Sequence, residues 1–204
     1  MRHDFLSEFM GNPHRGKMVR ALIFNENERF TAKDAGKRSG VSPVAAAREL
    51  KALEKIGIAK RGRIVPTTPS GAKKRLKPEV AWFLNPNFKY LRALSSFVRE
   101  IAPMRYEQIV DALRRSGKLS TVILSGSFMG DLSRPADILL AGDSLNEKRL
   151  EVAVKELEPL FGRELRYAAF TTPEFRYRLT VQDRLIRDTL DYPHLILLDR
   201  SRLL

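Results

Sequence analysis

Arg48, Lys51 and Lys55 stand three and then four residues apart, so on a helix they share one face, and Ser42, Val44 and Ala45 precede them near its start. The chemistry of such a set is recognition rather than bond-making. Small residues let a backbone approach the floor of a nucleic-acid groove, a guanidinium forks onto a guanine edge, and ammonium groups suit phosphates. On this reading Ser42, Val44, Ala45 and Arg48 meet bases, while Lys51, Lys55, Arg61, Arg63, Lys73, Lys74 and Arg75 meet phosphates. A solvated, lysine-rich helix face in an ordinary three-helix unit has the same composition. The distribution of charge favours the first reading. Residues 1 to 100 hold 21 Lys and Arg against 9 Asp and Glu, whereas residues 101 to 204 hold 16 against 15. Nearly all of the formal +13 therefore sits in the first half and calls for a polyanion. A membrane surface is the poorer match, because no segment is a lysine-rich amphipathic helix with large apolar anchors.

The elements that must carry these residues follow from local signals. Thr31 is placed to cap a first helix ending at Gly40, and Ser42 to cap a second with Pro43 at its first position. Ala47, Leu50, Leu53 and Ile56 recur every three residues as the expected core stripe of that second helix, and Gly57 stops it. Ile58 to Val65 suits a charged edge strand, Pro66 to Pro78 a basic loop, and Glu79 to Leu84 a returning strand. Upstream, Gly16 to Asn25 reads as a scaffold helix with Val19, Leu22 and Ile23 inward, after a short helix over Asp4 to Met10. Two helices, a tight turn and a basic hairpin are the layout of a winged helix-turn-helix, expected over residues 1 to 88 with Lys73, Lys74 and Arg75 at the wing tip. Helix-turn-helix units also mediate protein contacts, so the fold alone does not fix the partner.

Residues 89 to 103 are expected to form a linker helix. Leu91, Leu94, Phe97, Val98 and Ile101 lie on one side of Tyr90 to Ile101, as core or as a dimer element of a homodimer, the symmetry that paired half-sites require. From residue 104 helices and strands alternate. Tyr106 to Ser116 is a helix with Ile109, Val110 and Leu113 inward, and Leu119 to Leu124 and Ala136 to Ala141 are strands joined through a turn at Ser125 to Ser127. Lys148 to Leu160 is a helix, Glu164 to Phe170 a third strand, Pro173 to Leu190 two helices, and Leu195 to Leu198 a last short strand. The whole is α+β: a helical winged domain, then a small α/β domain on a mixed sheet over residues 104 to 204.

Several function classes drop out. With no cysteine there is no disulfide or thiolate metal site, and His3, His14 and His194 are too scattered for a metal site or a catalytic pair on one element. No apolar run reaches membrane-spanning length, and the amino terminus is too polar for a signal peptide, so a cytoplasmic protein is expected.

The segment TVILSGSFMGDLSRPADILLAGD resembles the signature of minimal nucleotidyltransferases of the DNA polymerase β superfamily, in which one strand ends in Gly-Ser and the next bears Asp-x-Asp. Together with FTAKDAGKRSGVSPVAAARELKALEKIGIAKR, WFLNPNFKYLRAL and FTTPEFRYRLTVQDRLIRDTLDYPHLILL, it makes nearly the full chain similar to prokaryotic winged-helix proteins fused to such a domain and described as transcriptional regulators. The resemblance implies that the Gly126 and Ser127 turn cradles a nucleotide phosphate and that Asp137 is the first metal-binding aspartate. Leu139 stands where the second belongs, so the two-metal clamp is incomplete. Asp143 lies about 20 Å farther along an extended strand and Asp131 in the intervening loop, while Glu164 begins the third strand. The expectation is a DNA-binding regulator whose second domain has lost catalysis and serves dimerisation or ligand sensing, with Gly126, Ser127 and Asp137 as a nucleotide-binding remnant and no metal or cofactor. The alternative is an active nucleotidyltransferase using Mg²⁺ and a nucleoside triphosphate, brought to its substrate by the winged domain. An architectural or antitoxin-like partner protein is a third reading.

Overall fold

Caps at the starts of three helices set the frame of the amino-terminal half. In the computed structural model, which describes residues 4–65, 77–101, 106–200, 202 and 204, the short helix α1 (Phe5–Phe9) leads into α2 (Pro13–Phe24). The Asn12 side chain accepts from the amides of His14 and Arg15, at 2.9 and 3.2 Å, and Pro13 takes the first helical position. Thr31 Oγ1 accepts from Asp34 N at 3.1 Å to start α3 (Ala32–Ser39), which Gly40 ends in the left-handed conformation at φ +61°. Ser42 Oγ accepts from Ala45 N at 3.3 Å to start α4 (Pro43–Lys55).

Val19, Leu22 and Ile23 of α2 are buried in one core with Leu50 and Leu53 of α4, which also takes in Phe30, Trp82 and Val98. Each such side chain contributes roughly 1.5–3 kcal/mol by leaving water. The inward stripe of α4 is Ala46, Leu50 and Leu53, so the expected stripe needs correcting: Ala47 is half-buried and Ile56 exposed. A strict three-residue repeat walks around a helix of 3.6 residues per turn, and Ala47 and Ile56 end up on opposite sides.

Two strands follow, β1 (Ala59–Ile64) and β2 (Glu79–Leu84), paired antiparallel with Ala59 opposite Leu84 and Ile64 opposite Glu79. Phe30 adds a bridge on the far side of β2, its amide and carbonyl bonded to those of Trp82 at 2.9 and 2.8 Å. Helix α5 (Leu91–Glu100) buries Val98 and half-buries Leu91 and Leu94, while Phe97, turned about 100° from Val98, lies on the exposed side rather than in the stripe.

The chain separates into two compact units, Met1–Pro103 with Pro159–Arg163, and Met104–Glu158 with Glu164–Leu204. Helix α5 belongs to the first of them. The second comprises α6 (Tyr106–Leu113), β3 (Lys118–Leu124), β4 (Ile138–Asp143), most of α7 (Glu147–Phe161), β5 (Tyr167–Phe170), α8 (Thr172–Thr180), α9 (Arg184–Leu190) and β6 (Leu195–Asp199). Its sheet has the order β5-β4-β3-β6 and is mixed, with β4 and β5 parallel and the other pairs antiparallel. Ile123, Leu139 and Ala141 from the central strands pack with Phe170, Phe175 and Ile186. The protein is thus α+β. Among the described residues, no helix is long and apolar enough to cross a membrane.

Candidate functional site

Helix α4 divides its residues cleanly. Ala46, Leu50 and Leu53 face the core, and Ser42, Val44, Arg48, Lys51 and Lys55 are exposed. Val44, Arg48, Lys51 and Lys55 project on one face, and Pro43, Val44, Ala47, Arg48 and Lys51 line an open, shallow depression of about 570 Å³ along it. Ala45 is half-buried, packed at the edge of the core, and the Ser42 hydroxyl oxygen also caps the helix. Arg61 and Arg63 are exposed on β1 of the same unit. Lys73, Lys74 and Arg75 lie outside the described residues.

One residue beside this face is absent from the sequence reading. Glu49, only 2% exposed, accepts from Asn12 Nδ2 at 3.0 Å, Arg15 Nε at 3.0 Å and Arg48 Nε at 3.2 Å. Burial pushes its carboxyl up, but the hydrogen bonds from Asn12, Arg15 and Arg48 and the nearby Arg15 charge outweigh that and hold it below the ordinary carboxylate range. Arg48, 70% exposed, is gripped only through Nε, so its two terminal nitrogens carry no hydrogen bond to a described residue. A fork held at its base and open at its tips is preorganised to donate to a phosphate or a base edge. The signal was present in the sequence as an acid on the buried side of a helix, between Ala46 and Leu53, which must have a partner. Nothing in sequence spacing could pair it with Asn12 and Arg15.

The second constellation is built differently. Strand β3 ends at Leu124, and Gly126–Met129 form a turn of 3₁₀ helix. Asp137, just before β4, is fully buried, and each of its carboxylate oxygens accepts twice. Oδ1 takes Ser127 N at 2.8 Å and an Arg166 terminal nitrogen at 3.2 Å; Oδ2 takes Arg166 N at 2.9 Å and Arg166 Nε at 3.2 Å. The amides of Phe128, Gly130 and Asp131 bond to the carbonyls of Ser125, Ser127 and Gly126. The amides that a phosphate cradle would offer thus donate within the turn, although the buried Ser127 hydroxyl has no partner among the described residues.

Mg²⁺ does not fit these residues. An ion at either Asp137 oxygen would have to displace the Arg166 guanidinium, and Leu139 is a buried core residue. Asp131 accepts from the Ser133 hydroxyl and amide and pairs with Arg134, and Asp143 is exposed at the far end of β4. Among the described residues no group of three or more His, Asp or Glu side chains is placed to hold a metal ion.

No family model matches this chain. Nor does any curated protein or solved structure. Of the expected set, the structure brings Val44, Arg48, Lys51 and Lys55 together on one helix face with Ser42 at its start, and it sets Gly126, Ser127 and Asp137 in direct contact.

Proposed function

We propose that the protein is a homodimeric DNA-binding transcriptional regulator whose first unit is a winged helix-turn-helix with α4 as its recognition helix. The observation that carries this reading is the division of α4: an inward side on which Ala46, Leu50 and Leu53 are fixed in the core and Glu49 is buried among its partners, and an outward side of Val44, Arg48, Lys51 and Lys55 with no acidic residue among them. The order α2, α3, α4, β1, β2, with Phe30 bridged to β2 as a minimal third strand, supports the winged-helix reading. Arg48 and the small residues at the start of α4 read bases in the major groove, and Lys51, Lys55, Arg61 and Arg63 fix the helix on the phosphates. By their charge, Lys73, Lys74 and Arg75 are proposed to add to the phosphate contacts.

Selection of bound sequences from a random duplex library tests this. The wild-type chain should enrich a defined site and lose affinity steeply as salt rises. Equal affinity for random duplex at every salt concentration would sink the proposal.

For the second unit, a nucleotidyltransferase-like fold without catalysis is the better supported reading. The Asp137 carboxylate is committed to Arg166 and Ser127, which leaves no acidic pair among the described residues to clamp attacking and leaving oxygens. Incubation with labelled nucleoside triphosphates and Mg²⁺ should give no transfer to DNA or to the protein. Transfer abolished by Asp137→Ala would reinstate the enzyme.

A further inference from the structure

Helix α5 and the aromatic residues of α1 form a patch that DNA binding through α4 leaves unused. Arg92, Ala93, Ser96, Phe97 and Glu100 are all exposed, and their spacing puts them on one face of α5. Phe97, 37% exposed, meets Phe9 at 5.6 Å between ring centroids, and Phe9 stacks on Phe5 at 6.0 Å. Phe5 and Phe9 are 55% and 67% exposed. At about 200 Å² per ring, the three leave on the order of 300 Å² of aromatic surface in water. Apolar patches of that size on a monomer are often functional.

The charges at the two ends of the face indicate what covers it. Arg92 and Glu100 stand at opposite ends of α5, about 12 Å apart along its axis, and neither pairs with a described residue. Arg99, by contrast, is tied to Glu26 at 2.5 Å. A positive end, a small-residue centre at Ala93 and Ser96, and a negative end make a face complementary to itself when reversed.

We infer that α5 packs antiparallel against α5 of a second copy of this chain, across a two-fold axis near Ser96. Arg92 of each copy meets Glu100 of the other, and Phe97, Phe9 and Phe5 close the apolar part of the interface. Two-fold symmetry makes every contact twice, so one weak ion pair becomes two that fix the register. This rests on the homodimeric part of the proposed function and is independent of its DNA-binding part.

Sedimentation equilibrium of the full chain without DNA tests it. The wild-type protein sediments as a dimer at micromolar concentration. Phe97→Asp raises the dissociation constant roughly a hundredfold by setting a carboxylate in the aromatic centre. Arg92→Glu or Glu100→Arg alone raises it about tenfold by opposing like charges, and the double variant Arg92→Glu/Glu100→Arg returns it to within about threefold of wild type. Unchanged circular dichroism melts establish that each variant is folded. A chain that is monomeric at every concentration overturns the inference, and so does a double variant as weak as either single one. Because no DNA is present, a failure of duplex binding would leave these outcomes untouched.

Discussion

Among the described residues each unit buries one carboxylate against an arginine, and the two pairs are built to opposite ends. Glu49 holds Arg48 through Nε alone and leaves the guanidinium tips in solvent. Asp137 takes Nε and a terminal nitrogen of Arg166 together with two backbone amides, so its hydrogen-bonding capacity is met inside the fold. One pair presents a cation; the other ties two strands and a turn together. The difference lies in the backbone. Gly126 lets the turn approach so closely that a Cβ there would stand 2.5 Å from Asp137 Oδ1, whereas Glu49 sits on a regular helix and can only be approached by side chains.

The largest effect is expected on removing the internal carboxylate. Asp137→Ala leaves the Ser127 and Arg166 amides without their acceptor and the Arg166 guanidinium with only its bond to the Leu132 carbonyl, which should cost about 3 kcal/mol of stability in the second unit. Trp82, the only tryptophan, belongs to the first unit. Urea unfolding followed by its fluorescence should therefore change little, while the circular dichroism transition moves to lower urea. A loss of less than about 1 kcal/mol would mean that Asp137 is not holding the turn.

Gly126→Ala comes next, at about 2 kcal/mol, because the residue sits at φ +55° and its new methyl would meet both Asp137 Oδ1 and the Ala136 carbonyl at 2.8 Å. Part of that cost should vanish in the Asp137→Ala background, where the carboxylate is gone and only the carbonyl contact remains. Full additivity in the double-mutant cycle would contradict a direct contact.

The sequence announced most of the elements but neither carboxylate's partners. Caps at Thr31 and Ser42, the Pro43 start and the Gly40 stop are local signals, and the helices begin and end on them. The strand at Leu119 to Leu124 was legible from its β-branched run, and the observed strand adds only Lys118. The strand expected from Glu164 starts later in the chain. It begins at Tyr167, because Asp137 N donates to the Arg166 carbonyl at 2.7 Å while the Arg166 amide turns to the Asp137 side chain. Such pairings join residues 29 or 34 positions apart, and no periodicity in the chain encodes them. On α4 the outward lysines were legible from spacing, whereas Arg15, a full helix upstream, was not.

The buried carboxylate of the first unit is probed by Glu49→Gln. Its folded pKa is depressed, so the charged carboxylate contributes stability above the ordinary value of 4.5, and that contribution fades as pH falls through the lower folded value. The variant should lose about 1 kcal/mol at neutral pH and approach the wild type in acid. Guanidine melts at pH 7 and pH 2 measure the two differences. A gap that stays constant across that range would show that the charge of Glu49 contributes nothing.

The smallest effect on folding is expected at Arg48, and there the contrast between the units is most exposed to test. Arg48→Ala should change stability by no more than about 0.5 kcal/mol, since the side chain is largely in solvent and Glu49 keeps Asn12 and Arg15. It should nonetheless cost about 1–3 kcal/mol in binding to a selected duplex and relax the preference at one base position. Lys51→Ala should instead weaken binding to all sequences alike and lower the salt slope by about one. Arg166→Ala is expected to do the reverse of Arg48→Ala, lowering stability and leaving duplex affinity intact. If Arg48→Ala unfolds the first unit, or if its loss of affinity is uniform across sequences, then Glu49 holds it for structure as Asp137 holds Arg166, and the outward face of α4 loses its reader.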